Sequence, residues 1–179
     1  MNKRDYVNVV KEQLRAYDFL ELDEEMIEEV KNELRESEEE ELTPEEEEAL
    51  EKHSVFVSYH ENGVFESVAI IELDEHTVDE IKQPILDLLR DNEDEFIEQD
   101  DETSEGHYYY LFVANHTTEP LHTVVENYTF EGDFHGVYSV LADMTSGEVY
   151  FKNDFSFFDR SPFLKVMKKN VVKYFVVSP

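Results

Sequence analysis

SVFVSYHENGVFESVAIIEL, residues 54–73, decides the fold. Val55, Phe56, Val57 and Tyr59 lead to Asn62-Gly63, and Val64 to Leu73 follow. Asn-Gly between two β-rich runs predicts a hairpin, because both residues tolerate the positive φ of a two-residue turn. The stretch also divides the chain. Before it the apolar residues recur at helical spacing, and beyond Gly106 they recur mostly as strands.

Working back from Ser54, Tyr6, Val9, Val10, Leu14 and Tyr17 share one helical stripe, with Lys11, Glu12 and Arg15 between them. A second helix is expected from Asp23 as cap, with Leu22, Met26, Ile27, Val30 and Leu34 on its apolar side. Its other side carries Glu24, Glu25, Glu28, Glu29, Glu36 and Glu39. Carboxylates four residues apart are about 6 Å apart along a helix axis, so this face repels itself. Residues 36–41 read as a linker. Thr43-Pro44-Glu45-Glu46 then supplies a cap, a proline in the first turn and a reaching glutamate for a short third helix that runs to Lys52.

Working forward, Thr77-Val78-Asp79-Glu80 caps a helix that Pro84 kinks or restarts, with Ile85, Leu88, Leu89 and Phe96 at helical spacing. From Asp91 to Glu105 there are nine acidic residues and no basic one, the pattern of a solvated helix end or loop. Strands are expected over 107–114, 121–130, 134–143 and 148–153, with turns at Gly132-Asp133 and Ser146-Gly147. Ser161-Pro162 opens a last helix with Phe163, Val166, Met167, Val171, Tyr174 and Phe175 on one side and Lys165, Lys168, Lys169 and Lys173 on the other. The expected fold is therefore α+β: acidic N-terminal helices, a β-hairpin and helix, then an antiparallel β-sheet closed by a C-terminal amphipathic helix. The expected division is an acidic helical segment over 1–53 and an α+β core over 54–179, with an acidic run at 91–105, in one compact unit.

Charge is the strongest compositional signal. The 179 residues carry a formal charge of −30, and 13 Phe and 10 Tyr within a 40% apolar composition still provide for a core. Residues 1–52 hold 20 acidic and 7 basic side chains, 53–105 hold 17 and 2, and 106–179 hold 8 and 6. So −28 of the −30 precedes Gly106. Adaptation to high salt would spread acid over the whole surface, and lysine here outnumbers arginine by 10 to 5, so the acid reads as placed.

Chemistry-bearing motifs are scarce. The five glycines are too dispersed for a phosphate loop or a dinucleotide fingerprint, there is no nucleophile elbow, and the absence of cysteine removes thiolate chemistry. His116, Glu119 and His122 are metal-ligand types close in sequence, but Asn115 to Pro120 reads more simply as a polar turn. The acidic run lacks the order of ligands of a calcium loop. No cofactor and no metal are expected, and the chain is read as non-enzymatic.

No stretch reaches the roughly 20 apolar residues of a membrane span, and the expected compartment is the cytoplasm, in a bacterial host cell. The lysines of the last helix are expected to pair with acidic helices, the chain's own or those of a second subunit in a homodimer, since net charge opposes direct contact with nucleic acid or an anionic membrane. At the level of functional class the pattern resembles phage-encoded antagonists of host defence or transcription. In that reading the chain mimics nucleic-acid charge against a basic nucleic-acid-binding protein such as a nuclease, polymerase or nucleoid protein. Duplex DNA shows one charge per roughly 1.7 Å, so 28 charges match about 48 Å, or roughly 14 base pairs. The partner-binding residues would be those six glutamates with Glu45, Glu46, Asp91, Glu93, Asp94, Glu95, Glu98, Asp100, Asp101 and Glu102. The alternative is an immunity protein or antitoxin that neutralises a basic toxin, for which Tyr108, Tyr109 and Tyr110 are either aromatic anchors or core; an acidic adaptor domain is the third reading.

Overall fold

The computed structural model describes residues 1–23, 25, 54–73, 105–131, 135–154 and 162–177. Helix α1 spans Lys3–Ala16, and Asn2 caps it by accepting the Asp5 N–H at 2.8 Å. Its end is set by Asp18, which takes the left-handed φ of 63°. The N–H groups of Asp18 and Phe19 then bond back to Arg15 and Leu14 carbonyls at 3.1 and 3.0 Å, closing a Schellman motif with aspartate where glycine usually stands.

The strands are β1 (Leu20–Glu21), β2 (Ser54–Tyr59), β3 (Val64–Glu72), β4 (Glu105–Ala114), β5 (Phe130–Glu131), β6 (His135–Asp143) and β7 (Glu148–Phe151). They form one open sheet in the order β1-β2-β3-β4-β6-β5, with β7 beside β5 on the outer edge of β6. The expected hairpin is present, with β2 and β3 antiparallel, but its turn is longer than the two residues expected: the His60 N–H bonds the Val64 carbonyl at 2.9 Å across Glu61–Gly63, and Gly63 takes the left-handed φ of 83° while Asn62 does not.

Two expectations are corrected. The sheet is mixed, since β3, β4 and β6 run parallel, and it remains open at both edges instead of being closed. The segment expected as a strand over 121–130 is helix α2 (Glu119–Asn127), followed by the short β5. Leu121 and Val125, the residues α2 buries, suit period two and period four alike. Pro120 in the first turn and the need for a long crossover between parallel β4 and β6 decide for the helix.

Helix α3 (Pro162–Phe175) begins at the predicted proline and lies with α1 on one face of the sheet. Alternation sends Phe56, Val68, Ile70, Tyr109, Leu111 and Val113 to that face. The Tyr6 hydroxyl donates to the Phe175 carbonyl at 2.7 Å and ties the two helices together. The opposite face packs Ile71, Tyr110, Phe112 and Leu141 against Leu121 and Val125 of α2. Strand β4 is thus apolar on both faces, as a central parallel strand should be. The second and third N-terminal helices, the helix expected after Thr77 and the acidic run up to Ser104 lie outside the described residues. No helix among the described residues is long and apolar enough to cross a membrane.

Candidate functional site

The fold sorts charge by layer. Helices α1 and α3 hold eight cations, Lys3, Arg4, Lys11, Arg15, Lys165, Lys168, Lys169 and Lys173, against the two acids Asp5 and Glu12. Strands β1 to β7 and helix α2 carry no lysine or arginine. Part of the cationic layer is engaged locally: Lys11 and Arg15 both bond Glu21, at 2.8 and 2.6 Å, and Lys173 stands 3.8 Å from the centre of the Tyr17 ring. Lys168 donates to the Asn153 carbonyl.

The sheet also fixes where the two most acidic stretches attach. The Leu22 N–H bonds the Val55 carbonyl at 2.8 Å, so the chain leaves β1 beside the start of β2. Ser54, which opens β2, faces Ile70 near the end of β3, and the chain leaves β3 at Leu73. Leu22, Ser54 and Leu73 therefore share one end of the sheet. Residues 23–53, with 16 acids and three bases, and residues 74–104, with 13 and two, contribute −13 and −11. Of the sixteen acidic residues expected to bind a partner, Glu25 is described and exposed. Glu24, Glu28, Glu29, Glu36, Glu39, Glu45, Glu46, Asp91, Glu93, Asp94, Glu95, Glu98, Asp100, Asp101 and Glu102 lie outside the described residues.

The sequence reading missed a buried polar cluster at the opposite end of β3 and β4. Glu66, 3% exposed, sits on the α1–α3 face, in register with His107 on β4. Its carboxylate pairs with His60 Nε2 at 2.7 Å and accepts from Asn170 Nδ2 at 3.0 Å and from the Tyr109 and Tyr174 hydroxyls at 3.2 Å. His107 binds Glu105 through Nε2 at 2.6 Å and turns Nδ1 toward Glu66 at 3.9 Å, within ion-pairing range but beyond a hydrogen bond. Burial by itself raises the Glu66 carboxyl, but the two histidines outweigh it and hold the group below the ordinary carboxylate value. Burial likewise lowers the His107 imidazole, and the flanking Glu66 and Glu105 overturn that and raise it. The cluster pins the hairpin turn, β4 and α3 to one another. Its signal was in the alternation: Glu66 shares the inward parity of Val68 and Ile70, and His107 that of Tyr109 and Leu111.

A second polar cluster stands at the carboxyl ends of β4 and β6. Asp143 accepts the Thr117 hydroxyl at 2.8 Å and the N–H groups of Thr117, Thr145 and Ser146 at 3.0, 2.7 and 3.1 Å. Burial pushes its carboxyl up, and these donors bring it below the ordinary value. Thr117 has a single proton to give, so His122 Nε2, 2.6 Å from the same oxygen, must be a donor. His122 stacks on Tyr150 at 3.6 Å. His116, Glu119 and His122 are not gathered into a metal site: among the described residues no group of three or more suitable side chains could hold a metal ion.

The tyrosine run divides by parity. Tyr109 and Tyr110 are core residues on opposite faces, whereas Tyr108 is half-buried beside Phe65, their rings 5.9 Å apart. The Phe65 ring in turn meets Tyr59 at 4.8 Å, and Tyr59 is 79% exposed. Comparison with protein-family models, with curated proteins and with solved structures finds no match to this chain.

Proposed function

We propose that this chain is a non-enzymatic acidic inhibitor that presents nucleic-acid-like charge to the basic binding surface of a host DNA- or RNA-binding protein. The observation that carries the reading is that three of the four attachments of the two acidic stretches, Leu22, Ser54 and Leu73, lie at one end of the sheet, while the second stretch returns at Glu105 on the other. The two stretches together hold 24 of the 30 excess negative charges. Such a concentration favours rapid, salt-sensitive association with a basic surface.

The test is affinity capture from a nuclease-treated bacterial lysate with the full chain as bait, washed at rising salt. Retention of one nucleic-acid-binding protein, displaced by duplex DNA, is the expected result. A partner that ignores both salt and DNA would remove the mimic reading. A second reading, neutralisation of a basic toxin in the manner of an immunity protein, is favoured by one observation, the exposed aromatic row ending at Tyr59, because tailored interfaces rely on aromatic anchors.

A further inference from the structure

The hairpin turn holds the reactants of a covalent change. Nine asparagines occur in the chain, and Asn62 is the one followed by glycine; the others precede Lys, Val, Glu, His, Tyr or Asp. An asparagine amide is open to attack by the backbone nitrogen of the next residue, and a side chain on that residue obstructs the approach. Gly63 has no Cβ and leaves the approach clear.

The geometry of the turn adds to this. Asn62 and Gly63 are both exposed, so water reaches the reacting atoms. The Val64 N–H donates to Asn62 Oδ1 at 3.3 Å, which folds the side chain forward over the 62–63 peptide and draws electron density from the amide carbon. One bond restrains the reaction: the Gly63 N–H, whose proton must leave, donates to the His60 carbonyl at 3.0 Å. That bond lies at an exposed hairpin end, where local opening costs far less than global unfolding. Attack therefore follows opening of the turn.

We propose that Asn62 is a site of spontaneous deamidation, and that its isoaspartyl form releases the hairpin turn from the start of β4. The reagents are water and hydroxide. The Gly63 nitrogen loses its proton to hydroxide and bonds to Asn62 Cγ; the Cγ–Nδ2 bond breaks, and Nδ2 takes a proton from water and leaves as ammonia. Water then cleaves one of the two C–N bonds of the resulting succinimide ring. Cleavage at Cγ gives aspartate, and cleavage at the main-chain carbonyl carbon gives isoaspartate. The sum is asparagine and water to acid and ammonia, with no change of oxidation state. In isoaspartate the backbone runs through Cβ and Cγ, one methylene longer, and the former main-chain carbonyl is a carboxylate. The longer path displaces Gly63, whose carbonyl accepts the Glu105 N–H at 3.2 Å where β4 begins. It also displaces His60, the exposed partner of Glu66 at 2.7 Å, so the change reaches the buried cluster.

The test is incubation of the full chain in mildly alkaline buffer, folded and in guanidinium, followed by peptide mapping with mass spectrometry and an isoaspartyl methyltransferase assay. Asn62 should convert about tenfold or more faster than any other asparagine, because Gly63 alone offers an unobstructed nitrogen. It should convert faster in guanidinium than in the folded chain, because the turn must open first. In the isoaspartyl chain, amide exchange followed by NMR should speed up about tenfold at Gly63 and Glu105. Asn62→Asp, which carries the new charge on an ordinary backbone, should keep the slow exchange of the parent. Asn62→Gln should remain unmodified, and circular dichroism confirms that both variants fold. If Asn62 stays intact in the folded chain, or another asparagine reacts first, the site is overturned. Equal rates in the two states overturn the restraint by the turn. Isoaspartate at position 62 with unchanged exchange at Glu105, or equal acceleration in Asn62→Asp, overturns the release of β4.

Discussion

His107 stands directly across the β3–β4 pair from Glu66, its Nδ1 3.9 Å from the carboxylate, with Glu105 on its other ring nitrogen. An imidazolium held between two carboxylates is stabilised by both, and the buried Glu66 is stabilised in return. The two groups therefore limit stability at opposite ends of the pH scale. Glu66 has a lowered folded pKa, so its contribution is present above the ordinary carboxylate value of 4.5 and is lost as pH falls through the lower folded value. His107 has a raised folded pKa, so its contribution is complete below 6.5 and is lost as pH rises through the folded value. Urea unfolding measured from pH 3 to 9 should give greatest stability between about pH 5 and 6.5 from this pair. In Glu66→Gln the loss on the acid side should shrink. An unchanged pH profile in that variant would show that the pair does not set it.

Helix α1 ends on a residue poorly suited to its backbone. Asp18 adopts φ 63° and places a carboxylate at the negative end of the helix dipole. Asp18→Gly removes both costs and keeps the Schellman bonds of Asp18 and Phe19, which use backbone alone. A gain of about 1 kcal/mol is expected in denaturant unfolding. A loss of stability would mean that the aspartate side chain does something the geometry does not show.

The Thr117 hydroxyl joins Asp143 at the end of β6 to His122 on α2. Thr117→Val preserves shape but leaves a buried carboxylate short of one donor and the His122 N–H without its acceptor. The expected cost is about 1–3 kcal/mol, read as a lower urea midpoint at unchanged slope. Combining it with Asp143→Asn should cost less than the sum of the two, because both remove the same bond.

The sequence made some of these relationships visible and concealed others for identifiable reasons. Asn62-Gly63 and Pro162 act locally, through a turn and a helix start, and the hairpin and α3 are where they predicted, as α1 is where the stripe of Tyr6, Val10 and Leu14 predicted. Leu121 to Phe130 misled because its apolar residues fit two periods, and the choice between them was made by the parallel pairing of β4 with β6, which is a long-range fact. The aromatic row joins residues from three strands and becomes apparent only once register is known, although Tyr59 and Phe65 flank the predicted turn symmetrically. Glu66 and His107 were legible as polar residues at inward positions, but Asn170 and Tyr174, which complete their cluster, come from the far end of the chain.

Charge reversal at Glu24, Glu25, Glu28 and Glu29 tests the inhibitor reading most directly. Glu25 is exposed, and carboxylates at helical spacing opposite the Met26, Ile27 and Val30 stripe are expected to face solvent. The lysine variant should therefore fold, with its thermal midpoint within a few degrees of the parent. Its net charge changes from −30 to −22, and the change is concentrated in the 23–53 segment. Binding to the captured partner should fall at least tenfold at 0.15 M salt. The plot of log affinity against log salt should also flatten, because fewer of the ions condensed on the partner are displaced. A folded variant that keeps both affinity and salt slope would take this segment out of the interface and leave residues 74–104 and the Tyr59 row to account for recognition.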